Sequence, residues 1–115
     1  MAQLAARIGA ELVEGDGRIE IGSAFAGDRI SDLLNRASDG ALLITNLTGE
    51  QVLRVAELME VPAICFCEGR CPDESCCAAA RRCDKALVVS PAGLFETCGR
   101  IHACLGLGKE VIGGV

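Results

Sequence analysis

A chain of 115 residues, half of them apolar, is long enough for one real core and too short for two. Its net charge of −5 argues against nucleic acid, whose phosphates need a basic face, and against anionic membrane surfaces. No apolar run approaches the ~20 residues of a membrane span, and Met1-Ala2-Gln3-Leu4-Ala5-Ala6-Arg7 lacks a signal-peptide core, so a cytoplasmic protein is expected.

With Trp and Tyr absent and three Phe in all, the core must be aliphatic. Residues 2–9 read as a short amphipathic helix with Leu4, Ala5 and Ile8 on one side, and residues 11–14 as a first strand. Gly15-Asp16-Gly17 is a turn. Residues 19–25 alternate and predict a strand. Asp28 then stands where it can cap a helix whose apolar stripe is Ile30, Leu33, Leu34 and Ala37, closed by Ser38-Asp39-Gly40.

Residues 41–45 are a continuous apolar run, the signature of a strand covered on both faces. Thr48-Gly49-Glu50-Gln51 reads as a capping box for a helix burying Val52, Val55, Ala56 and Met59. A strand over 62–67 follows, then a helix opened by Pro72 and Asp73 and running to about Arg82. Residues 86–90 form the last predicted strand, and Ser90-Pro91 caps a helix burying Leu94, Cys98, Ile101 and Leu105. Residues 106–115 read as a flexible tail. Strands alternating with helices over short connections predict a single α/β domain: a Rossmann-like three-layer sandwich with a mostly parallel sheet.

Six of the eight cysteines fall between Cys65 and Cys83. In a reducing compartment such a cluster points to metal or redox chemistry rather than a disulfide framework. Cys67 ends a predicted strand, Cys71 lies in the following loop, and Cys76 and Cys77 occupy the first turns of the next helix. All four fall near the carboxyl edge of a parallel sheet, where functional loops collect. Cys67, Cys71, Cys76 and Cys77 are therefore the expected metal ligands. Cys83, seven residues and roughly 10 Å farther along a helix than Cys76, is held in reserve.

The spacing lacks both the paired C-x₂-C knuckles of zinc sites and the C-x₂-C-x₂-C run of bacterial ferredoxins. Thiolates without histidine favour an iron–sulfur cluster of the 4Fe–4S kind, with zinc, or thiol redox without metal, as alternatives. Cys65 and Cys98 read as small core residues, and His102 as an exposed surface histidine. Asp28, Ser31 and Asp32, with Thr45 and Asn46, either line a small-ligand pocket or satisfy helix amides. Placed Cys–His or Ser–His–Asp arrangements are missing, and so is a G-x-x-x-x-G-K-[ST] phosphate loop, so a non-enzyme is expected.

The run Phe25-Ala26-Gly27-Asp28-Arg29-Ile30-Ser31-Asp32-Leu33-Leu34, with Leu42-Leu43-Ile44-Thr45, Pro72-Asp73-Glu74 and Ser90-Pro91…Phe95-Glu96…Gly99-Arg100, resembles the DRTGG domain family over roughly residues 2 to 105. Arg18-Ile19-Glu20-Ile21-Gly22-Ser23-Ala24 stands where the family's signature loop falls, without its paired glycines. The resemblance implies a Rossmann-like domain that forms homodimers and occurs in regulatory regions of pyrophosphatases. It also implies kinship with stand-alone relatives found near hydrogenase components, and it places a core-facing aliphatic where this chain has Cys77. Two functions follow as expectations. One is a non-catalytic iron–sulfur accessory, electron-transfer or sensor protein of anaerobic redox metabolism, with a redox enzyme such as a hydrogenase component as partner. The other is a ligand-sensing regulatory dimer whose cysteines bind zinc or nothing.

Overall fold

Strands and helices follow each other as α1 (Ala2–Arg7), β1 (Glu11–Glu14), β2 (Ser23–Ala26), α2 (Ile30–Arg36), β3 (Ala41–Thr45), α3 (Glu50–Leu58), β4 (Ala63–Phe66), α4 (Glu74–Arg82), β5 (Ala86–Val89) and α5 (Leu94–Cys104). This computed structural model describes residues 1–36 and 40–106. The sheet order is β1-β5-β4-β3-β2, with β2 to β5 parallel and β1 antiparallel at the edge. The Rossmann-like three-layer reading is borne out, with helices on both faces of the sheet.

Strand register decides which residue faces which layer. Phe25, Leu43, Ile64 and Leu87 lie side by side across four strands. They face the cluster completed by Leu33 of α2, Val52, Leu53 and Ala56 of α3, and Cys76 and Ala80 of α4. The neighbouring row, Ala26, Ile44, Cys65 and Val88, faces the opposite way. It packs beneath Ala5 and Ile8 at the first helix and Ile101 of α5. The distribution follows from chain direction. The crossovers from β2 to β3, β4 and β5 all step the same way across the sheet, so right-handedness puts α2, α3 and α4 on one face. The other face is left for α1 and α5.

β3 and β4 are buried throughout and carry the continuous apolar runs such strands require. The edge strand β1 alternates exposed with half-buried residues, and its exposed charge Glu11 discourages a further strand from pairing. Glu14 is tied to α4 by Arg81, whose guanidinium reaches Glu14 Oε2 at 3.0 Å and Glu74 Oε1 at 2.9 Å.

Several local expectations are corrected. The strand expected over 19–25 is paired only from Ser23, opposite Ala41, where β3 begins. Ile19 and Ile21 instead pack as loop residues against the α1/α5-side core, and the Met1 amino group donates to Gly17 O and Ile19 O. The capping box at Thr48 does not form: α3 starts one residue later with Gly49 as N-cap and no side-chain bond, which puts Gln51 out of the N3 position. Met59 of that stripe lies at the C-cap and is only half-buried, while Leu53 takes a buried place. Ser90 does not cap α5, whose N-cap is Gly93. The Ser90 hydroxyl turns inward to Thr97 Oγ1 at 2.8 Å. In α2, Leu33 is fully buried but Leu34 is 41% exposed, and Ala37, Ser38 and Asp39 lie outside the described residues. The tail expected over 106–115 is likewise outside them beyond Gly106, which takes a positive φ of +76° after the α5 C-cap.

Candidate functional site

The carboxyl edge of the parallel strands gathers Asp28 after β2, Thr45 and Asn46 at the end of β3, Cys67 to Cys71 after β4 and Ser90 after β5. The Asp28 carboxylate accepts from Asn46 N at 2.8 Å, Asn46 Nδ2 at 3.2 Å and Thr45 Oγ1 at 3.4 Å. It therefore clasps the exit of β2 to that of β3 rather than capping α2. Both its oxygens accept within the chain, so the network holds the two strand exits together. Asn46 Oδ1 is buried and has no hydrogen-bond partner among the described residues, and the Asp28 contact fixes the amide's orientation, since the acceptor carboxylate requires the amide nitrogen.

The segment after β4 is pinned to its neighbours by backbone bonds. Cys67 N donates to Thr45 O at 3.3 Å, Glu68 N to Ala92 O at 2.8 Å and Gly69 N to Ser90 O at 2.8 Å. Glu68 and Gly69 take consecutive positive φ values of +59° and +66°, which turns the chain sharply toward Cys71. An exposed Arg70–Glu68 pair at 3.1 Å sits on this turn.

The four expected metal ligands are not brought together. Cys67 is fully buried in the cluster under α1 and α5, on the same side as Cys65. Cys76 is fully buried in the cluster under α2, α3 and α4, on the opposite side of the sheet. Cys71 is exposed, and its thiol points back to Gly69 O at 3.9 Å. Cys77 is half-buried against the Cys76 side, so the core position the resemblance put at Cys77 belongs to Cys76. The reason is helical phase. Asp73 caps α4 by accepting from Cys76 N at 2.8 Å, which sets Cys76, Ala79 and Ala80 on the inward stripe. Among the described residues no three His, Cys, Asp or Glu side chains converge on one point. As the thiols stand, Cys67, Cys71, Cys76 and Cys77 do not fit a shared metal centre. Cys83, held in reserve, caps the far end of α4 and bonds Glu57 Oε2 at 3.3 Å.

Burial pushes the Cys76 thiol up to about 12, aided by Asp73. The neighbouring Cys65 and Cys67 thiols shift each other, Cys65 upward and Cys67 downward, with Thr97 adding to the lowering of Cys67. The Cys65 thiol itself donates to Phe66 O at 3.8 Å, and Thr97 Oγ1 lies at 2.8 Å from Ser90 Oγ and 3.3 Å from Ala92 O. Cys98, the residue after Thr97 on α5, is raised by burial and by the neighbouring Cys67 and Asp28. Cys65 and Cys98 are packed in or against the core as the sequence indicated, and His102 is exposed. Cys104, whose place the sequence did not indicate, is half-buried against the same core.

A second feature lies away from this edge. A depression of about 780 Å³ opens between α1, the loop of residues 17–21 and the end of α5. Leu4, Ile19, Ile21 and Leu105 give it apolar walls; Arg7 and Arg18 bring cationic groups and Glu20 a carboxylate, and Arg18 is paired with Asp16 at 3.2 Å. Its volume falls in the range of small-molecule sites. Part of its wall is the segment beginning at Arg18, which stands in place of the signature loop. Reading residues 19–25 as one strand concealed it; the only sequence signal was that an apolar pair, Ile19 and Ile21, follows directly on a glycine turn.

The fold can be placed among known ones. No protein-family model matches the chain, and no curated protein sequence matches it. Among solved structures, the CBS and DRTGG domains of the regulatory region of Clostridium perfringens pyrophosphatase match it with a TM-score of 0.72 over 88% of this chain. That structure was determined in complex with an activator, diadenosine tetraphosphate. The two are 14% identical, and this chain spans 45% of the other's length. The chain thus has a DRTGG-like α/β fold, in agreement with the resemblance carried by residues 25–34. No helix among the described residues is long and apolar enough to cross a membrane.

Proposed function

We propose that the chain is a non-catalytic regulatory module that senses a small ligand in the depression beside α1 and works as a homodimer. The observation that carries this reading is a cavity of ligand size, about 780 Å³, walled by the loop that replaces the family signature. Apolar walls with Arg7 at the rim suit a molecule with a flat or apolar part and an anionic group, the chemistry of a nucleotide, which Arg18 would join by exchanging its Asp16 partner and which would lie clear of Glu20. The likeness to a pyrophosphatase regulatory region crystallised with a dinucleotide activator supports the same choice of probe.

Adenosine monophosphate and diadenosine tetraphosphate are the probes. Saturable binding by calorimetry, with a rise in melting temperature as ligand binds the folded state, is expected. Arg7→Glu should weaken binding at least several-fold. If neither probe binds, or the variant binds as well as the parent, the sensing role falls. For the dimer, Phe95 on α5 is 94% exposed and is the side chain such an interface would cover. Light scattering should give twice the chain mass, and Phe95→Asp should return it to one. A monomer mass for the parent at working concentration contradicts the dimer.

The iron–sulfur reading, with zinc as its alternative and a redox enzyme such as a hydrogenase component as partner, is the second. The density of thiols in residues 65–83 favours it; the placement of Cys67 and Cys76 on opposite faces of the sheet weighs against it. It requires a brown protein with iron and acid-labile sulfide after anaerobic purification, and a colourless, iron-free preparation removes it.

A further inference from the structure

Three thiols that the ligand-sensing reading does not use share one side of the sheet. Cys65 and Cys67 are fully buried in the core cluster beneath α1 and α5, and Cys98 of α5 packs against that same cluster. Ser90, whose N–H donates to Phe66 O and whose carbonyl accepts from Gly69 N on either side of Cys67, bonds through its hydroxyl to Thr97, the residue immediately before Cys98. Of the three, Cys98 is the one that reaches a surface opening. It lines a small cavity of about 170 Å³ together with Ile44, Ile101 and His102. A cavity of that size admits a molecule as small as hydrogen peroxide, though not a nucleotide.

We propose that Cys98 and Cys67 form an oxidation site, in which a hydroperoxide entering the small cavity is reduced and the two thiols are joined. The Cys98 sulfur attacks one peroxide oxygen and the O–O bond breaks, leaving a sulfenic acid on Cys98. The departing hydroxide takes the Cys98 proton and leaves as water. The Cys67 sulfur then attacks the Cys98 sulfur, the S–O bond breaks, and the second hydroxide leaves as water with the Cys67 proton. Two thiols lose two electrons, and one hydrogen peroxide becomes two waters.

Cys65 is the poorer partner for Cys67. The two lie two residues apart along one extended segment, where the rise separates their backbones, and with them their parallel Cβ atoms, by about 6.6 Å. A disulfide needs Cβ atoms about 3.8 Å apart. The bridge to Cys98 instead joins two elements and would staple α5 to the exit of β4. Because Cys67 N is bonded to Thr45 O beside the Asp28 clasp, the staple acts on the carboxyl edge of the sheet.

The test exposes the full-length, fully reduced protein to a small excess of hydrogen peroxide and maps its thiols by mass spectrometry without reduction. The expected product has lost two hydrogen atoms and yields a linked Cys67–Cys98 peptide. In Cys67→Ser, a nearly isosteric change, dimedone should instead trap Cys98 as its sulfenic acid, and circular dichroism checks that this variant is folded. Oxidation confined to the exposed Cys71, or a bridge between Cys65 and Cys67, overturns the proposal. If the variant is unfolded, Cys67→Ala takes its place with the same dimedone readout, and an unlabelled Cys98 there counts against the site. Neither result depends on nucleotide binding, so this site and the ligand-sensing role fail separately.

Discussion

Gly15 and Gly40 both adopt left-handed backbone, with φ of +94° and +79°, but only Gly15 is hemmed in. A Cβ on Gly15 would lie 2.6 Å from both Ala86 Cα and Lys85 O, the backbone that starts β5, whereas one on Gly40 would meet nothing within 4 Å. Gly40→Ala should cost the left-handed penalty of about 1–2 kcal/mol. Gly15→Ala should cost clearly more, because β1 or β5 must also move. Urea denaturation of the two variants checks this, and equal losses would contradict the packing of the turn on β5. At this scale the sequence was informative about residue type and less so about partners. That Cys65 is buried and Cys98 packs against the core could be read from apolar neighbours at strand and helix spacing. That Asp28 reaches across to Thr45 and Asn46 could not, because capping its own helix and bridging to a neighbouring strand need the same residue type at the same place.

Among the elements, α4 shows how one cap decides a chemistry. With Asp73 as N-cap, Cys76 turns into the core and Cys71 is left in solvent before the helix begins. The buried Cys76 thiol has its pKa raised from 9.0 to about 12, so between those pH values the unfolded chain releases a proton that the folded chain retains. The unfolded state then binds fewer protons, and stability present below pH 9 falls as the pH rises toward 12. Cys65, Cys77, Cys83 and Cys98 are raised as well and add to the slope, while Cys67 is shifted the other way. Cys76→Ala should therefore make the alkaline loss of stability shallower, on top of a cavity cost that does not change with pH. Urea midpoints measured across this range under reductant check it, and an unchanged slope would contradict the burial of this thiol. The helices and buried strands were legible because their apolar periods are strong. The ends were not: β2 begins only where β3 is present to pair with it, and α3 begins one residue past the Thr48 box, both of which depend on neighbours distant in sequence.

For the molecule as a whole, the sheet is a partition. Its order and handedness place α2, α3 and α4 on one face and α1 and α5 on the other, so residues close in sequence are separated by the thickness of a buried sheet. Cysteines nine residues apart, Cys67 and Cys76, end in different cores for that reason. Linear spacing suggested convergence because it carries the distance along the chain but not the side of the sheet on which each segment lands. The same partition brings Cys67 and Cys98, far apart in the sequence, to one core cluster, a juxtaposition with no local signal in the sequence.

Alkylation of anaerobically prepared, reduced protein, followed by mass spectrometry with and without a metal chelator, tests this partition most directly. Cys71 should react first, while Cys67 and Cys76 stay protected until the fold opens, with rates unaffected by chelator. Protection of Cys67, Cys71, Cys76 and Cys77 as a set, released together when the chelator is added, would instead show four sulfurs gathered on one centre and would contradict their division between the two faces.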